Sequence, residues 1–394
     1  MKSINEISFN GKKVFIRVDF NVPFNDDGEI TDNSRIVGAL PTIKHVLLNG
    51  GACILGSHLG RPDGKKLELS MRKIIPELKK LLDKDVRFLE DSIGSHTKEI
   101  CSNLKNGQIV LLENLRFYKE ETMADIGFAK ELSGLADIYI NDAYGTTHRE
   151  HASTATIAQF FGEKAPGMLL EKEIKSLKKL MDKPKKPVTA IIGGAKVSSK
   201  ISVIANILGF VDNLIIGGGM AYTFIKNNGG RIGDSIFEAD RLKDCSEILS
   251  KAKRENVNVF LPEDILCSNE FSDSGLQKVT DIYEVPEGWQ GLDIGPKTMA
   301  KFEQVIQGSS TILWNGPMGV FEIPSFEKGT HAVAKSVAKA TQSGAYSLIG
   351  GGDSVAAIKK FGLQNKVSFI STGGGAMLES LEGKLLPGIK ALSQ

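Results

Sequence analysis

The stretch VTAIIGGAKVSSK, from Val188 to Lys200, contains the pattern that predicts the fold. It begins with an apolar run that has no polar alternation, which is typical of a strand buried on both faces of a sheet. The pair Gly193-Gly194 ends that run, and we expect Lys196 and Lys200 to lie on the turn and on the first turn of a helix that follows it. The stretch therefore predicts a strand, a tight turn and a helix, the repeating unit of a parallel α/β sheet.

Apolar runs of the same kind recur along the whole chain. They are KVFIRV from Lys13, ACILG from Ala52, IVLLE from Ile109, DIYIN from Asp137, NLIIG from Asn213, VNVFL from Val257, TILWN from Thr311, YSLIG from Tyr346 and VSFIS from Val367. Amphipathic segments of helical length separate them, such as SRIVGALPTIKHVLLNG from Ser34. This alternation predicts right-handed crossovers, and it makes the runs central strands of parallel sheets covered by helices.

The segment MDKPKKPVTA, at 181–190, predicts a domain boundary because two prolines interrupt the pattern before a new strand begins. A chain of 394 residues also exceeds what one hydrophobic core usually serves. We therefore expect an α/β protein of two doubly wound domains, 1–180 and 181–375, each with a mainly parallel sheet flanked by helices, joined by a hinge. The pattern does not say where the segment 376–394, with its helix AMLESLEGKLL, packs.

Composition excludes several classes of partner. Lys and Arg total 49 against 47 Asp and Glu, which is too balanced for a nucleic-acid-binding surface. The chain contains no apolar run near the ~18 residues that span a bilayer, and its start, MKSINEISFNGKK, lacks an apolar export segment. A cytoplasmic protein without a membrane or nucleic-acid partner is expected. The four cysteines form no Cys-x-x-Cys pair, which favours free buried thiols.

The residues after the strands of the first half are mostly basic or polar. They are Asp19, Asn21, His58, Arg61, Asn114, Arg116, Asn141, Asp142, His148, Arg149 and His151, with Arg35 at the start of the first helix. Ligands of open parallel sheets bind beyond these carboxyl ends, and guanidinium groups bind oxyanions bidentately. The pattern predicts a site for a small anion with phosphate and carboxylate groups.

Other interpretations of these residues stay open at this point. Any one arginine could be an ion-paired surface residue, and His58 could cap a helix or fill a core. His148 and His151 could bind a metal, although no third ligand stands near them in the sequence.

The strands of the second half end in glycines instead. The turns are Gly193-Gly194, Gly217 to Gly219, Asn315-Gly316, Gly350 to Gly352 and Gly373 to Gly375. Bare backbone N–H groups at strand-to-helix turns can hold phosphates, which predicts a nucleotide site. Alternatively, each glycine only permits close packing of a helix. The sequence has no G-x-x-x-x-G-K-[ST], no G-x-G-x-x-G and no protein-kinase loop.

Three charged residues stand near these glycines. Lys196 and Lys200 are four apart, which would place both on one helix face pointing at phosphates. Asp353 follows a glycine run and could bind Mg²⁺ carried by a nucleotide. It could equally be the N-cap of the helix SVAAIKKFG.

The motifs together resemble the phosphoglycerate kinase family, over nearly the whole chain and in the family's order. They are RVDFNVP, SHLGRP, LLENLRFY, NDAYGTTHREHAS, IIGGAKVSSK, GGGMA, LWNGPMGVFE, GGGDS and STGGGA. The small departures are Ser354, where threonine is frequent, and Glu150 between Arg149 and His151.

The resemblance implies a monomeric glycolytic kinase that transfers a phosphoryl group reversibly between 1,3-bisphosphoglycerate and MgADP, giving 3-phosphoglycerate and MgATP. It also implies that the C-terminal helix packs back on the first domain. Substrate would contact Asp19, Phe20, Asn21, Arg35, His58, Leu59, Gly60, Arg61, Arg116 and Arg149. Nucleotide would contact Lys196, Lys200, Gly217, Gly218, Gly291, Asn315, Glu322, Gly351, Gly352, Asp353 and Ser354, with Asp353 on Mg²⁺.

The transfer itself needs alignment and charge stabilisation but no covalent intermediate and no general base. We expect Arg35 and Lys196 to meet the moving phosphoryl group, with backbone N–H groups of Gly373 and Gly374. Two other functions share features with this pattern. A nicotinamide-dependent dehydrogenase would have a similar sheet but lacks its fingerprint here, and a two-lobed anion-binding protein would not need Lys196 and Asp353.

Overall fold

The computed structural model describes residues 1–393, in two units divided at 175/176 and 384/385. The first unit contains residues 1–175 and 385–393, and the second contains residues 176–384. Each unit is built on a six-stranded parallel sheet flanked by helices, which confirms the predicted fold class. The divisions lie near the domain boundaries expected at 180/181 and 375/376 without coinciding with them.

The sheet of the first unit has the order β3-β4-β2-β1-β5-β6. Its strands are β1 (Lys13–Arg17), β2 (Ala52–Gly56), β3 (Arg87–Phe88), β4 (Ile109–Leu111), β5 (Ile138–Asn141) and β6 (Lys164–Pro166). β1 pairs in parallel with β2 on one side and with β5 on the other. The strand order reverses at β1, so the crevice beyond β1 and β5 is where an open α/β sheet binds its ligand.

Helices flank this sheet, and in the longer ones apolar residues recur every three to four positions. They are α1 (Ser34–Leu48), α2 (Ile75–Leu82), α3 (Ser95–Ser102), α4 (Lys119–Thr122), α5 (Ile126–Ser133) and α6 (Met168–Met181). In α1, Ile36, Ile43 and Val46 are fully buried against strand residues such as Val14 and Ile16. The helix predicted from Ser34 is thus confirmed.

The main sheet of the second unit has the order β10-β8-β7-β15-β16-β17. The strands of this unit are β7 (Val188–Ile192), β8 (Asn213–Ile216), β9 (Arg231–Ile232), β10 (Asn258–Phe260), β11 (Asp264–Ser268), β12 (Gln277–Asp281), β13 (Glu284–Val285), β14 (Gln290–Ile294), β15 (Thr311–Asn315), β16 (Tyr346–Ile349) and β17 (Phe369–Ile370). The order reverses at β7, which pairs with β8 and β15. The stretch from Val188 therefore forms the central strand.

Seven helices of the second unit and one short C-terminal helix complete the chain. They are α7 (Ile201–Ile207), α8 (Met220–Asn227), α9 (Leu242–Arg254), α10 (Pro296–Gln307), α11 (Lys328–Gln342), α12 (Gly352–Lys360), α13 (Gly374–Leu381) and α14 (Pro387–Lys390). Trp314 on β15 and Phe302 on α10 are fully buried in the core between sheet and helices.

Three details of the sheets differ from prediction. β10 and β17 are edge strands rather than central ones, because each has only one neighbour in the sheet. The short edge strands β3 and β6 carry too few residues to give an apolar run. The antiparallel sheet β12-β11-β14 was not predicted, because β12 alternates exposed and half-buried residues, QKVTD, and resembles a surface loop.

The C-terminal segment is shared between the units, which corrects the expectation that its helix packs on the first domain. α13 stays in the second unit, where Asn206 Nδ2 donates to the Leu381 carbonyl at 2.6 Å and Leu381 is fully buried. Gly383 then takes a left-handed φ of +82° and turns the chain. Only residues 385–393 join the first unit, where Gly388 N donates to Thr147 O at 2.9 Å.

None of the helices within residues 1–393 combines the length and the apolar composition that crossing a membrane requires. The four cysteines are free and buried, as predicted.

Candidate active site

An ion pair at the end of β1 organises the anion site of the first unit. Arg35 Nη1 donates to Asp19 Oδ1 and Oδ2 at 3.1 and 3.0 Å, and to the Asn21 carbonyl at 3.1 Å. Asp19 Oδ1 also accepts from Asn21 N at 3.1 Å. Because one Nη atom makes all three contacts, the guanidinium is fixed in place while its other N–H groups keep their capacity to bind an oxyanion.

A second chain of hydrogen bonds joins the loops after β1, β2 and β4. Asn21 Oδ1 accepts from Gly60 N at 2.8 Å, and Arg116 Nη1 donates to the Gly60 carbonyl at 2.7 Å. Asn114 Nδ2 holds the Leu59 carbonyl at 2.8 Å. The loop that carries Leu59 and Gly60 is therefore fixed from both sides, as the close approach of a ligand to backbone requires.

Both histidines near these arginines are neutral at ordinary pH. Burial lowers the pKa of His58 well below its usual range, and Arg17, Arg116 and Arg35 lower it further. Burial lowers the pKa of His151 to about 3, with Arg116, Arg17 and Arg149 acting in the same direction. The arginines therefore supply the positive charge of this site, and the histidines act as hydrogen-bonding groups.

Arg149 and Arg61 are both exposed. Arg149 lies close enough to lower the pKa values of His151 and Arg116, so the structure places it with the cluster. Arg61 has no hydrogen bond or ion pair to another residue of the described chain, and the structure does not tie it to the other arginines.

Sequence reasoning missed Arg17, the last residue of β1. Its side chain is fully buried, with Nε donating to Ser153 Oγ at 2.8 Å and Nη2 lying 3.3 Å from His58 Nδ1. Because an arginine can only donate, His58 Nδ1 is the acceptor, which leaves its proton on Nε2. A charged residue inside the apolar run KVFIRV was the available signal.

In the glycine turns after β7 and β8, carbonyl groups of the protein already accept from the N–H groups of Gly193, Gly194, Gly217 and Gly218. Gly193 N donates to Asn315 O at 2.9 Å and Gly217 N donates to Ile192 O at 3.0 Å. A Cβ on Gly193 would clash with the Pro317 carbonyl oxygen. These contacts favour the close-packing interpretation at Gly193 and Gly217, and a nucleotide contact at Gly217 and Gly218 stays a prediction.

The later glycine turns are different, because they begin two neighbouring helices. The N-cap of α12 is Gly351, so the N-cap interpretation of Asp353 is wrong. A Cβ on Gly374, the first residue of α13, would lie 3.1 Å from Gly351 Cα and 3.5 Å from Gly352 N. Helix N-termini have no intrahelical acceptors for their first N–H groups, so two sets of donors meet here.

Four polar side chains, Lys200, Asn315, Asp353 and Ser354, converge beside these helix starts. Lys200 Nζ donates to Asn315 Oδ1, and Asn315 Nδ2 donates to Gly350 O at 2.9 Å. Burial lowers the pKa of Lys200 to about 8, whereas the charge of Asp353 raises it. Ser354 Oγ accepts from Gly316 N at 2.5 Å. This cluster combines a cation, a carboxylate and N–H donors, as a phosphate and its metal require.

A cavity of about 590 Å³ opens beside this cluster, a size typical of small-molecule sites. Its walls are largely apolar, and Tyr222, Ile236, Leu292 and Val320 contribute to them. Gly291 and Glu322, predicted from the sequence, also line it, as do Gly218 and Asp353. The apolar wall residues were not predicted, because nothing in their local sequence distinguishes them from core residues.

Lys196 and Lys200 do not share a helix face, which corrects the prediction from their spacing. They flank a short 3₁₀ turn, Val197–Ser199, and Lys196 has extended backbone with φ −124° and ψ 129°. Lys196 is exposed. Burial raises the pKa of the nearby Glu238, but hydrogen bonds from Ser198, one of them from its N–H at 2.9 Å, outweigh it, and the charge of Lys196 adds to the lowering. The N–H of Gly373 is bonded to Ser371 Oγ at 3.3 Å.

A protein-only metal site is not found within residues 1–393, because they contain no suitably placed group of three His, Cys, Asp or Glu residues. His148 and His151 in particular do not belong to such a group. Asp353 is an exposed carboxylate at the start of α12, which fits a cation that takes its remaining ligands from a nucleotide and water.

Comparison with known proteins identifies the family of this chain. The family model described as phosphoglycerate kinase matches residues 4–384. Phosphoglycerate kinase of Porphyromonas gingivalis is 48% identical over 99% of both chains, and that of Thermosipho africanus is 51% identical over 99% of this chain and 97% of its own. The structure of phosphoglycerate kinase from Coxiella burnetii superposes with a TM-score of 0.91 at 40% identity, covering 100% of this chain and 99% of that one. The chain therefore belongs to the phosphoglycerate kinase family of phosphotransferases.

Proposed function

We propose that this chain catalyses reversible phosphoryl transfer between 1,3-bisphosphoglycerate and MgADP, giving 3-phosphoglycerate and MgATP. The observation that carries the proposal is the pair of chemically different sites at the two points where strand order reverses. An arginine cluster lies beyond β1 and β5, and an apolar cavity beside two helix N-termini lies beyond β7 and β15. Membership of the family supports the same reaction.

The first unit would hold the glycerate. Its phosphate and carboxylate need several fixed donors, and Arg35 and Arg116 are both already positioned by hydrogen bonds to the loops after β1 and β2. Arg149 is exposed and adds charge from the loop after β5. Arg61 would join on ligand binding, because its side chain is exposed and has no competing partner in the described chain.

The second unit would hold the nucleotide. A base fits the apolar cavity, and the phosphates would then reach the starts of α12 and α13, where Lys200 and Asn315 also lie. Mg²⁺ carried by the nucleotide would be held by Asp353 and would neutralise part of the phosphate charge. Lys196 and Lys200 add positive charge from the protein.

The chemistry would be an in-line displacement, in which the attacking oxygen is already anionic. A carboxylate of 3-phosphoglycerate or a phosphate of ADP needs no general base, so the protein contributes alignment and charge. Arg35 from the first unit and Lys196 from the second would stabilise the negative charge of the phosphoryl group during its transfer. The N–H groups of Gly374 and Gly373 would donate hydrogen bonds to the same group. Gly373 would have to exchange its bond to Ser371 for one to the phosphoryl group.

Substitution of Arg149 tests the substrate site. Arg149→Ala is expected to weaken 3-phosphoglycerate binding by about 1–3 kcal/mol, because a charge-assisted hydrogen bond is lost while the exposed side chain leaves no cavity. Nucleotide affinity should be unchanged. Calorimetry with each ligand measures both values, and equal weakening of the two would point to misfolding instead.

Turnover tests the function as a whole. The purified chain should form ADP from MgATP only when 3-phosphoglycerate is present. ADP formation independent of 3-phosphoglycerate would contradict the proposal, and tight binding of both ligands without turnover would indicate a two-lobed binding protein.

A further inference from the structure

Glu121, at the end of the LRFYKEE segment, is a fully buried carboxylate beneath the arginine cluster of the first unit. Its oxygens accept from Ser153 N at 2.9 Å and from Ser153 Oγ at 2.6 Å. They also lie 3.9 Å from Arg17 Nη2 and 3.8 Å from His151 Nδ1. Nothing in the proposed chemistry uses this charge.

Glu121 reaches Arg17 through Ser153 as well as directly. Ser153 Oγ accepts from Arg17 Nε at 2.8 Å while it donates to Glu121. Arg17 in turn contacts His58 Nδ1. Burial lowers the pKa of Arg116, and Arg17 and Arg149 lower it further, whereas the charge of Glu121 raises it. Glu121 is therefore coupled to Arg17, to Arg116 and, through Arg17, to His58. It is a negative charge among positive ones.

Two fully buried ions of opposite sign depend on each other, because an unpaired buried charge is strongly destabilising. Arg17 lies inside the unit and cannot turn to water, so Glu121 is the group that offsets its charge before a substrate arrives. A substrate anion offsets the same cluster of cations. The fixed carboxylate and the bound anion consequently repel each other, as like charges at short range do.

We propose that Glu121 is a positioning residue that keeps Arg17 and Ser153 in place under the anion site and sets the anion affinity below its maximum. Its negative charge stabilises the ligand-free arginine cluster and weakens the binding of an anionic substrate. Glu121 therefore lowers the anion affinity of the site and raises the stability of the ligand-free unit. The identity of the anion as 3-phosphoglycerate rests on the proposed function.

Glu121→Gln tests the proposal, because glutamine keeps the shape and can still bond to Ser153. Its Oε1 can accept from Ser153 N while its Nε2 donates to Ser153 Oγ, so the charge is lost and the hydrogen bond to Ser153 Oγ is kept with its direction reversed. The melting temperature of the ligand-free variant should fall. Its Kd for 3-phosphoglycerate should tighten by about threefold to tenfold, and its Kd for inorganic sulfate should tighten in the same direction, since one opposing charge is removed.

Glu113→Gln is the matched control. Glu113 is also a buried glutamate of the first unit, but it accepts from Ser70 Oγ at 2.7 Å and from Met71 N at 2.8 Å rather than facing an arginine. Loss of its charge should lower the melting temperature and leave both Kd values unchanged. A purely structural role for Glu121 predicts the same pattern for both variants, so tighter anion binding in Glu121→Gln alone separates the two accounts.

Calorimetry and thermal unfolding of the full chain, with and without each anion, give the measurements. If Glu121→Gln folds only with anion present, a larger stabilisation by rising sulfate concentration than in the unmodified chain supports the proposal by the same linkage. Unchanged or weaker anion binding, or a variant that no anion can fold, would overturn it. If the unmodified chain binds sulfate but not 3-phosphoglycerate, the proposed function fails, and the sulfate series alone decides the role of Glu121.

Discussion

Replacing Lys196 by alanine is expected to lower kcat by about 10²-fold or more, the scale of losing one preorganised charge donor. The side chain is exposed in the turn after β7 and is not part of the hydrophobic core, so the fold should tolerate its loss. The KM for nucleotide should change little, because Lys200 and the two helix N-termini remain. Steady-state kinetics with 3-phosphoglycerate and MgATP measure both constants.

Lys243→Ala is the control for loss of an exposed lysine in the same unit. Lys243 lies on α9 and pairs only loosely with Glu247 at 3.8 Å, far along the chain from the phosphate turns. Its kcat should equal that of the unmodified chain. A Lys196→Ala variant with near-normal kcat would remove Lys196 from the chemistry, and a large rise in nucleotide KM alone would make it a binding residue.

Replacing Arg35 by alanine should lower kcat/KM for 3-phosphoglycerate by about 10²–10³-fold, because two effects add. The guanidinium that we propose meets the moving phosphoryl group is lost. In addition, Asp19 loses the guanidinium that donates to it at 3.0 Å and becomes an unpaired carboxylate beside the proposed position of the substrate anion. Progress curves at low substrate concentration give kcat/KM directly.

Arg72→Ala is the matched control for Arg35→Ala. Arg72 is another arginine of the first unit and is also ion-paired, with Glu90 at 2.5 Å, but both side chains of that pair are exposed. Exposed pairs contribute little, so its activity should be unchanged. A decrease of less than threefold for Arg35→Ala would show that this arginine is a structural partner of Asp19 and nothing more.

Much of the fold could be predicted because parallel strands buried on both faces leave apolar runs that need no partner to be recognised. β7 and β15 are such runs. Polar residues at or just beyond the strand ends predicted the site positions Asp19, Asn315 and Asp353. The antiparallel strand β12 could not be found this way, because one face is exposed and its pairing with β11 is a tertiary contact.

The sequence alone could not predict which distant residues meet at the site. Lys200 and Asn315 are bonded across two neighbouring strands, β7 and β15, and only the sheet order brings them together. The buried pair of Arg17 and Glu121 was missed for a related reason, since charged residues are assigned to the surface unless a partner is known. Glycine turns gave an ambiguous signal, because close packing and phosphate binding both require them.

In the proposed function each unit holds one substrate, and transfer requires the two substrates to be brought together. Reacting atoms must come within ~3–3.5 Å, and a ligand bound to one unit alone has little differential affinity for a closed state. Hinge motion near 181–190 and near the C-terminal segment would then follow only when both are bound. Small-angle X-ray scattering tests this most directly. The radius of gyration should fall with 3-phosphoglycerate and MgATP together, and much less with either alone. Equal compaction by one ligand, or none with both, would contradict the account.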